Sequence, residues 1–223
     1  MFTIGYNCVI KVYVKHYLGL ELNNSPFDWN IVDNISKIEI LFENNFKNYV
    51  YKELYYSPEY LKQNNWTNKN YLTIHNREYE IKFMHDYISK KEENFYYYDT
   101  DLIINKYKRR IERTYEYINE ADKIIILYNQ EDVSYIYPFN FIFNKIMTEL
   151  DKENKKIKLD NLIIYFKKKY NNKNFEYLIL DSNETFKKNS KYLLNEIFND
   201  NNILLNGTIT ERTKEIFKEI NIN

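Results

Sequence analysis

Cysteine occurs once in this 223-residue chain, at position 8, so covalent chemistry by a side-chain nucleophile has to be weighed first at that thiol. Cys8 follows Gly5-Tyr6-Asn7 and opens the stretch VIKVYVKHYL, which ends at Gly19. Asn7 can cap a helix and Gly19 can stop one, so the pattern predicts a helix over about 8–18 with Cys8 in its first turn. At that position the helix dipole and free backbone N–H groups favour the thiolate, the nucleophilic form. The same N–H groups, next to Asn7, can hold the oxyanion formed on attack at a carbonyl. The plain alternative is a small buried apolar side chain, as for most lone cysteines.

A thiol nucleophile needs a base, and the histidines are His16, His75 and His85. His16 lies eight residues down the predicted helix, about 12 Å along its axis, and cannot reach Cys8. A hairpin is expected from 71–75 and 78–84 turning at Asn76-Arg77, which makes His75 a surface residue near the turn. His85 follows Tyr79, Ile81 and Phe83 on one face of the second strand, beside Asp86. A strand-end histidine is fixed by its sheet while its imidazole stays free, which suits a general base. The bland alternative is a half-buried histidine at a sheet rim. Cys8 with His85 is the pair that supports an acyl-enzyme mechanism on an amide or ester. Zinc lacks ligands, and three glycines make no phosphate loop, so neither metal nor cofactor is expected.

The elements that must position this pair follow from periodicity. A short strand or extended entry is expected at 2–4. A second helix fits 32–42, with Ile35, Ile38, Ile40, Leu41 and Phe42 mostly on one side. One or two short helices fit 45–65, broken near Pro58. The stretch 101–119 is a clear amphipathic helix, and 123–128 (KIIILY) a buried strand. A helix is expected at 139–150, strands at 161–166 and 175–180, and helices at 185–198 and 210–220. The Lys-rich run 152–169 reads as a solvated helix end, loop and edge strand. The order implies an α/β fold, mixed α+β in character, with a partly parallel sheet and helices on its faces. No repeat or Pro/Gly/Ser-rich linker divides the chain, so 1–223 reads as a single domain.

Four segments carry a resemblance. Ile4-Gly5-Tyr6-Asn7-Cys8, Ser25-Pro26-Phe27-Asp28-Trp29, His85-Asp86 and Tyr107-Lys108-Arg109-Arg110-Ile111 occur in that order. Together they resemble a domain-of-unknown-function family of papain-like cysteine peptidases, over about residues 1–130, with 140–223 completing the fold. The resemblance implies a papain-like fold with the nucleophile at the N-terminus of the first helix, Cys8 as nucleophile and His85 as base. It also implies roles for Asp28 and Asp86. Papain-like order puts the group that orients the imidazole on the next strand, where Asn129 or Asp132 ends the apolar run. Asn129, Asp28 and Asp86 are the candidates, in that order; Asp86 points away from His85 on an ideal strand. Phe27 and Trp29 are candidate walls of a substrate cleft, or anchors of their loop to the core. Arg109 is a candidate cleft residue, but it and Arg110 diverge by about 100°, so only one can face inward.

The resemblance implies a cysteine hydrolase. Relatives beside glycan-building enzymes bring in a second reading, acyl transfer in glycan modification, and a third is a non-catalytic protein-binding module. The expected partner is a peptide or an acylated small molecule or glycan, with the oligomeric state left open. Lys+Arg 32 against Asp+Glu 32 gives no field that would draw the chain to nucleic acid or a membrane surface. No secretory signal, membrane-length apolar run or second cysteine is present, and a reducing cytoplasm is the default expectation. The excess of Asn, Lys, Ile and Tyr reads as the mark of an AT-rich genome, and the 24 tyrosines are given no function.

Overall fold

The seven residues KIIILYN at 123–129 are almost continuously apolar, and such a strand is stable only where both its faces are covered. The computed structural model describes residues 2–5, 9–28, 30–50, 55–56, 74–83, 100–129, 149–171, 173–179, 183–199, 207–208 and 210–222. In chain order the elements are β1 (Phe2–Gly5), α1 (Val9–Leu18), β2 (Glu21–Leu22), β3 (Asn30–Val32), α2 (Ser36–Glu43), β4 (Tyr55–Tyr56), β5 (Ile74–Asn76), β6 (Ile81–Phe83), α3 (Thr100–Glu120), β7 (Lys123–Asn129), α4 (Glu149–Lys169), β8 (Asn174–Ile179), α5 (Asn183–Asn199), β9 (Gly207–Thr208) and α6 (Glu211–Ile222). The fold is mixed α/β, with parallel and antiparallel sheets and helices packed on them.

Strand β7 lies between β1 and β8, parallel to both. Its side chains divide with period two. Ile124, Ile126 and Tyr128 enter one core with Tyr107 and Ile118 of α3 and Leu159, Leu162 and Phe166 of α4. Ile125 and Leu127 enter another with Ile10, Val14 and Leu18 of α1 and Leu193, Leu194 and Ile197 of α5. Ile10, Val14 and Leu18 recur every four residues, the spacing that puts one helical stripe against a sheet. A second sheet, in the order β3-β6-β5-β4, is antiparallel throughout.

Helix α1 ends at Gly19, whose φ of +66° is the left-handed cap that glycine adopts without strain. Its N–H donates to the Lys15 carbonyl at 3.1 Å. The Gly19 carbonyl accepts from the Thr210 hydroxyl at 2.8 Å, which ties this turn to the start of α6. A Cβ at position 19 would lie 2.9 Å from the Thr213 backbone nitrogen. Gly19→Ala is therefore expected to cost about 2–3 kcal/mol, the left-handed penalty plus displacement of a backbone neighbour. The urea midpoint checks this, and a midpoint within error of wild type overturns it.

Several expectations need correction. Residues 161–166 are not a strand but the middle of α4. Leu159, Leu162, Ile163 and Phe166 are buried at helical spacing, whereas Ile164 is 63 % exposed. The triplet Leu162-Ile163-Ile164 imitates a strand locally, but its longer period is 3.6. The Lys-rich run is thus one continuous helix rather than a helix end, loop and edge strand. Val32 belongs to β3, paired with Ile81, and the second helix starts only at Ser36; Ile40 on that helix is exposed. No helix follows at 45–50, because Asn45, Phe46 and Asn48 take positive φ values, and Tyr55–Tyr56 form a strand. The hairpin turns later than expected, over 77–80, with Asn76 paired to Ile81 and Glu80 at φ 54°. His75 is consequently in a strand, paired with Lys82 and Tyr55. The helix expected at 139–150 falls largely outside the described residues. The strands at 2–4, 123–128 and 175–180 and the helices at 101–119, 185–198 and 210–220 stand within about two residues. Among the described residues, no helix is long and apolar enough to cross a membrane.

Candidate active site

Cys8, Asn7, Trp29, His85, Asp86 and Asp132 lie outside the described residues. Parts of the framework that lead to them are described. Helix α1 begins at Val9, one residue after Cys8 in the sequence, and β1 ends at Gly5. Gly5 pairs with Asn129, the last residue of β7. Asn129, nominated from the sequence to orient the imidazole, is thus in register with the residue from which the chain leads to Cys8. Strand β6 ends at Phe83, two residues before His85, and Phe83 pairs with Asn30 at the start of β3.

The loop between β2 and β3 joins these parts. Ser25-Pro26-Phe27-Asp28 forms a turn in which the Asp28 N–H donates to the Ser25 carbonyl at 3.3 Å, with proline at the second position where its fixed φ fits. The Phe27 N–H also donates to the Ser25 hydroxyl at 3.3 Å. Phe27 is buried, with ring centroids 5.9 Å from Phe46 and 6.4 Å from both Phe42 and Tyr49. Its ring anchors the loop to the core.

Asp28 is 3 % exposed and carries four attachments. Its carboxylate accepts from the Thr3 hydroxyl of β1 and from the Ser25 N–H at 2.5 Å. It pairs with the Lys11 ammonium of α1 at 2.9 Å. Its backbone carbonyl accepts from Arg110 Nη1 of α3 at 3.4 Å. The Lys11 ammonium has three donors and three acceptors, the two beyond Asp28 being the Leu22 carbonyl at 3.0 Å and Asn24 Oδ1 at 2.5 Å. Burial pushes the Asp28 carboxyl up, against the opposing pull of Lys11, the Ser25 N–H and Arg110. Burial likewise pushes the Lys11 ammonium down, with Asp28 opposing and the charges of Arg110 and Arg113 adding to it.

A neutral chain of hydrogen bonds continues toward β6. Asn30 donates to the Pro26 carbonyl at 2.7 Å and accepts from the Tyr107 hydroxyl at 3.0 Å. The Tyr107 ring meets Phe83 edge-on at 5.0 Å. Of the adjacent arginines, Arg110 turns inward at 6 % exposure with its guanidinium 5.2 Å from the Tyr107 ring centre, whereas Arg109 is exposed. Sequence reasoning missed Lys11, Thr3 and Asn30, and placed Tyr107 in a motif without giving it a role. Lys11 alone left a trace, since it shares a helix face with Val14 and Leu18, where an apolar residue is expected.

No curated protein and no solved structure matches the chain. A family model described as "Putative papain-like cysteine peptidase (DUF1796)" matches residues 1–174, from the strand that leads to Cys8 to the first residue of β8. That span is most of the chain, and it takes in the cysteine, the Pro-Phe-Asp-Trp loop, the His-Asp pair and the paired arginines; the protein belongs to this papain-like cysteine peptidase family.

Proposed function

We propose that the chain is a thiol hydrolase working through an acyl-enzyme. Cys8 attacks the carbonyl of an amide or ester, and His85 takes the thiol proton. His85 then delivers that proton to the departing amine or alkoxide, and water releases the acyl group. The observation that carries this reading is the pairing of Gly5 with Asn129 just before α1 starts at Val9. The segment between Gly5 and Val9 holds Cys8. It therefore runs from the carboxyl end of a parallel strand to a helix N-terminus, where α/β proteins bind ligands and where a thiolate is favoured. Family membership supports the same nucleophile.

Asn129 is the first choice to orient the imidazole, with Asp86 next. The Asp28 carboxylate is already engaged by Thr3, Ser25 and Lys11, which favours a framework role for it. The substrate is a peptide or an acylated small molecule or glycan; an acceptor other than water would make the same chemistry a transfer. The balanced charge argues against nucleic acid or a membrane surface as partner. A lone thiol suits a reducing cytoplasm.

The test is the pH dependence of iodoacetamide alkylation, which reports one site because the chain has one cysteine. Native protein is expected to react with a midpoint well below pH 7, and His85→Ala to lose this. A midpoint near the free-thiol value of about 8.5, unchanged by the substitution, overturns the proposal and leaves a protein-binding module.

A further inference from the structure

Of the five large apolar side chains exposed among the described residues, three stand on one helix: Leu150, Ile157 and Ile164 of α4, at 66 %, 51 % and 63 % exposure. They recur every seven residues and so form one stripe along a helix about 30 Å long. The stripe lies opposite the buried one. Ile157 and Leu159 are about 200° apart around the axis, and Leu159, Leu162, Ile163 and Phe166 already fill the side toward the core. Helix α4 is therefore apolar on two opposite faces, of which the core covers one.

The outer face has the pattern of a coiled-coil seam. With Leu150, Ile157 and Ile164 at position d of a heptad, position a falls on Asn154, Asn161 and Lys168, all exposed. Asparagine at a suits a parallel, two-stranded pair, because each one meets its own copy across the axis and the two can hydrogen-bond. The flanking charges select the same partner and direction. Glu153 takes position g and Lys158 position e of the next heptad, both exposed. In a parallel pair each Glu153 faces Lys158 of the second copy, twice by symmetry. An antiparallel pair centred on Ile157 would set Lys158 against Lys158 and Glu153 against Asp160, like charges in both cases. We propose that the outer face of α4 is a self-association surface, on which a second copy of this chain packs its own α4 parallel and in register. Polar residues at a and a length of three heptads make the dimer weak and concentration-dependent.

The experiment is sedimentation equilibrium of the full chain over a range of concentrations, with each variant checked for native circular dichroism. Wild type is expected to pass from monomer to dimer, and Ile157→Lys to raise the dissociation constant at least ~10-fold by placing a charge in the seam. Lys158→Glu, which turns both cross-pairs into Glu facing Glu, is expected to weaken the dimer ~5-fold. Adding Glu153→Lys to it reverses the pairs and should restore the wild-type constant. Direction has its own readout: Asn161→Cys in a Cys8→Ser chain should join two copies through a short thiol-to-thiol cross-linker, since only parallel helices bring residue 161 to its own copy. A wild-type chain that stays monomeric at ~0.5 mM overturns the proposal and leaves the face to a different protein. A dimer that Ile157→Lys leaves intact overturns this surface. A dimer lost in Ile157→Lys but indifferent to the charge reversal, with no cross-link at 161, overturns the parallel pairing.

Discussion

Asp28→Ala is expected to lower the stability of the protein by about 3–5 kcal/mol, the largest effect of any substitution in the polar joint. The carboxylate is buried, and its removal strips a partner from the Thr3 hydroxyl, the Ser25 N–H and the Lys11 ammonium together. Lys11 is then a mostly buried cation without its anion, flanked by Arg110 and Arg113, and this unpaired charge outweighs the lost hydrogen bonds. The double variant Lys11→Met/Asp28→Leu should cost clearly less than Asp28→Ala, since two apolar groups leave no charge to bury. Urea unfolding at constant slope gives both numbers. A double variant no more stable than the single would mean that the pair itself, and not the orphaned cation, holds the joint together.

Phe166→Ala is expected to cost a similar 3–5 kcal/mol for a different reason. Its ring is fully buried, edge-on to Phe42 of α2 at 4.8 Å and stacked on Phe175 of β8 at 5.0 Å. The substitution opens a cavity between α2, α4 and β8, of which β8 is held in the sheet by β7. The midpoint should fall with the slope unchanged. A cost below ~1 kcal/mol would show that α4 settles into the space, and would weaken its claim to be a core helix.

The parts of the fold that were legible from sequence are those whose period exceeds local noise. Residues 123–129 read as a buried strand because nothing polar interrupts them between Lys123 and Asn129. Residues 100–120 read as a helix because Tyr107, Arg110, Thr114 and Ile118 fall on one stripe. Around 162–164 three adjacent apolar residues concealed the helical period, and only Leu159 and Phe166 on either side reveal it. The left-handed residues 45, 46 and 48 had no signature of their own, since an Asn-rich chain offers asparagine almost everywhere. At the candidate site, Asp28 was legible through its motif. Of its partners, Arg110 stood in the paired-arginine motif, whereas Thr3 and Lys11 were not legible, because the tertiary fold alone brings them to Asp28.

The parallel pairing of β1 with residues 126–129 also sets an order of assembly. During synthesis the first strand waits until β7 has been made, which at roughly 5–20 residues per second is several seconds to half a minute. Seating β1 on β7 closes a loop of more than a hundred residues at an entropic cost. The nascent chain would therefore carry Cys8 before the pairing of Gly5 with Asn129 can form. For the hydrolase proposed above, a centre completed only after β7 is made would leave the growing polypeptide beside a thiol not yet in its final setting.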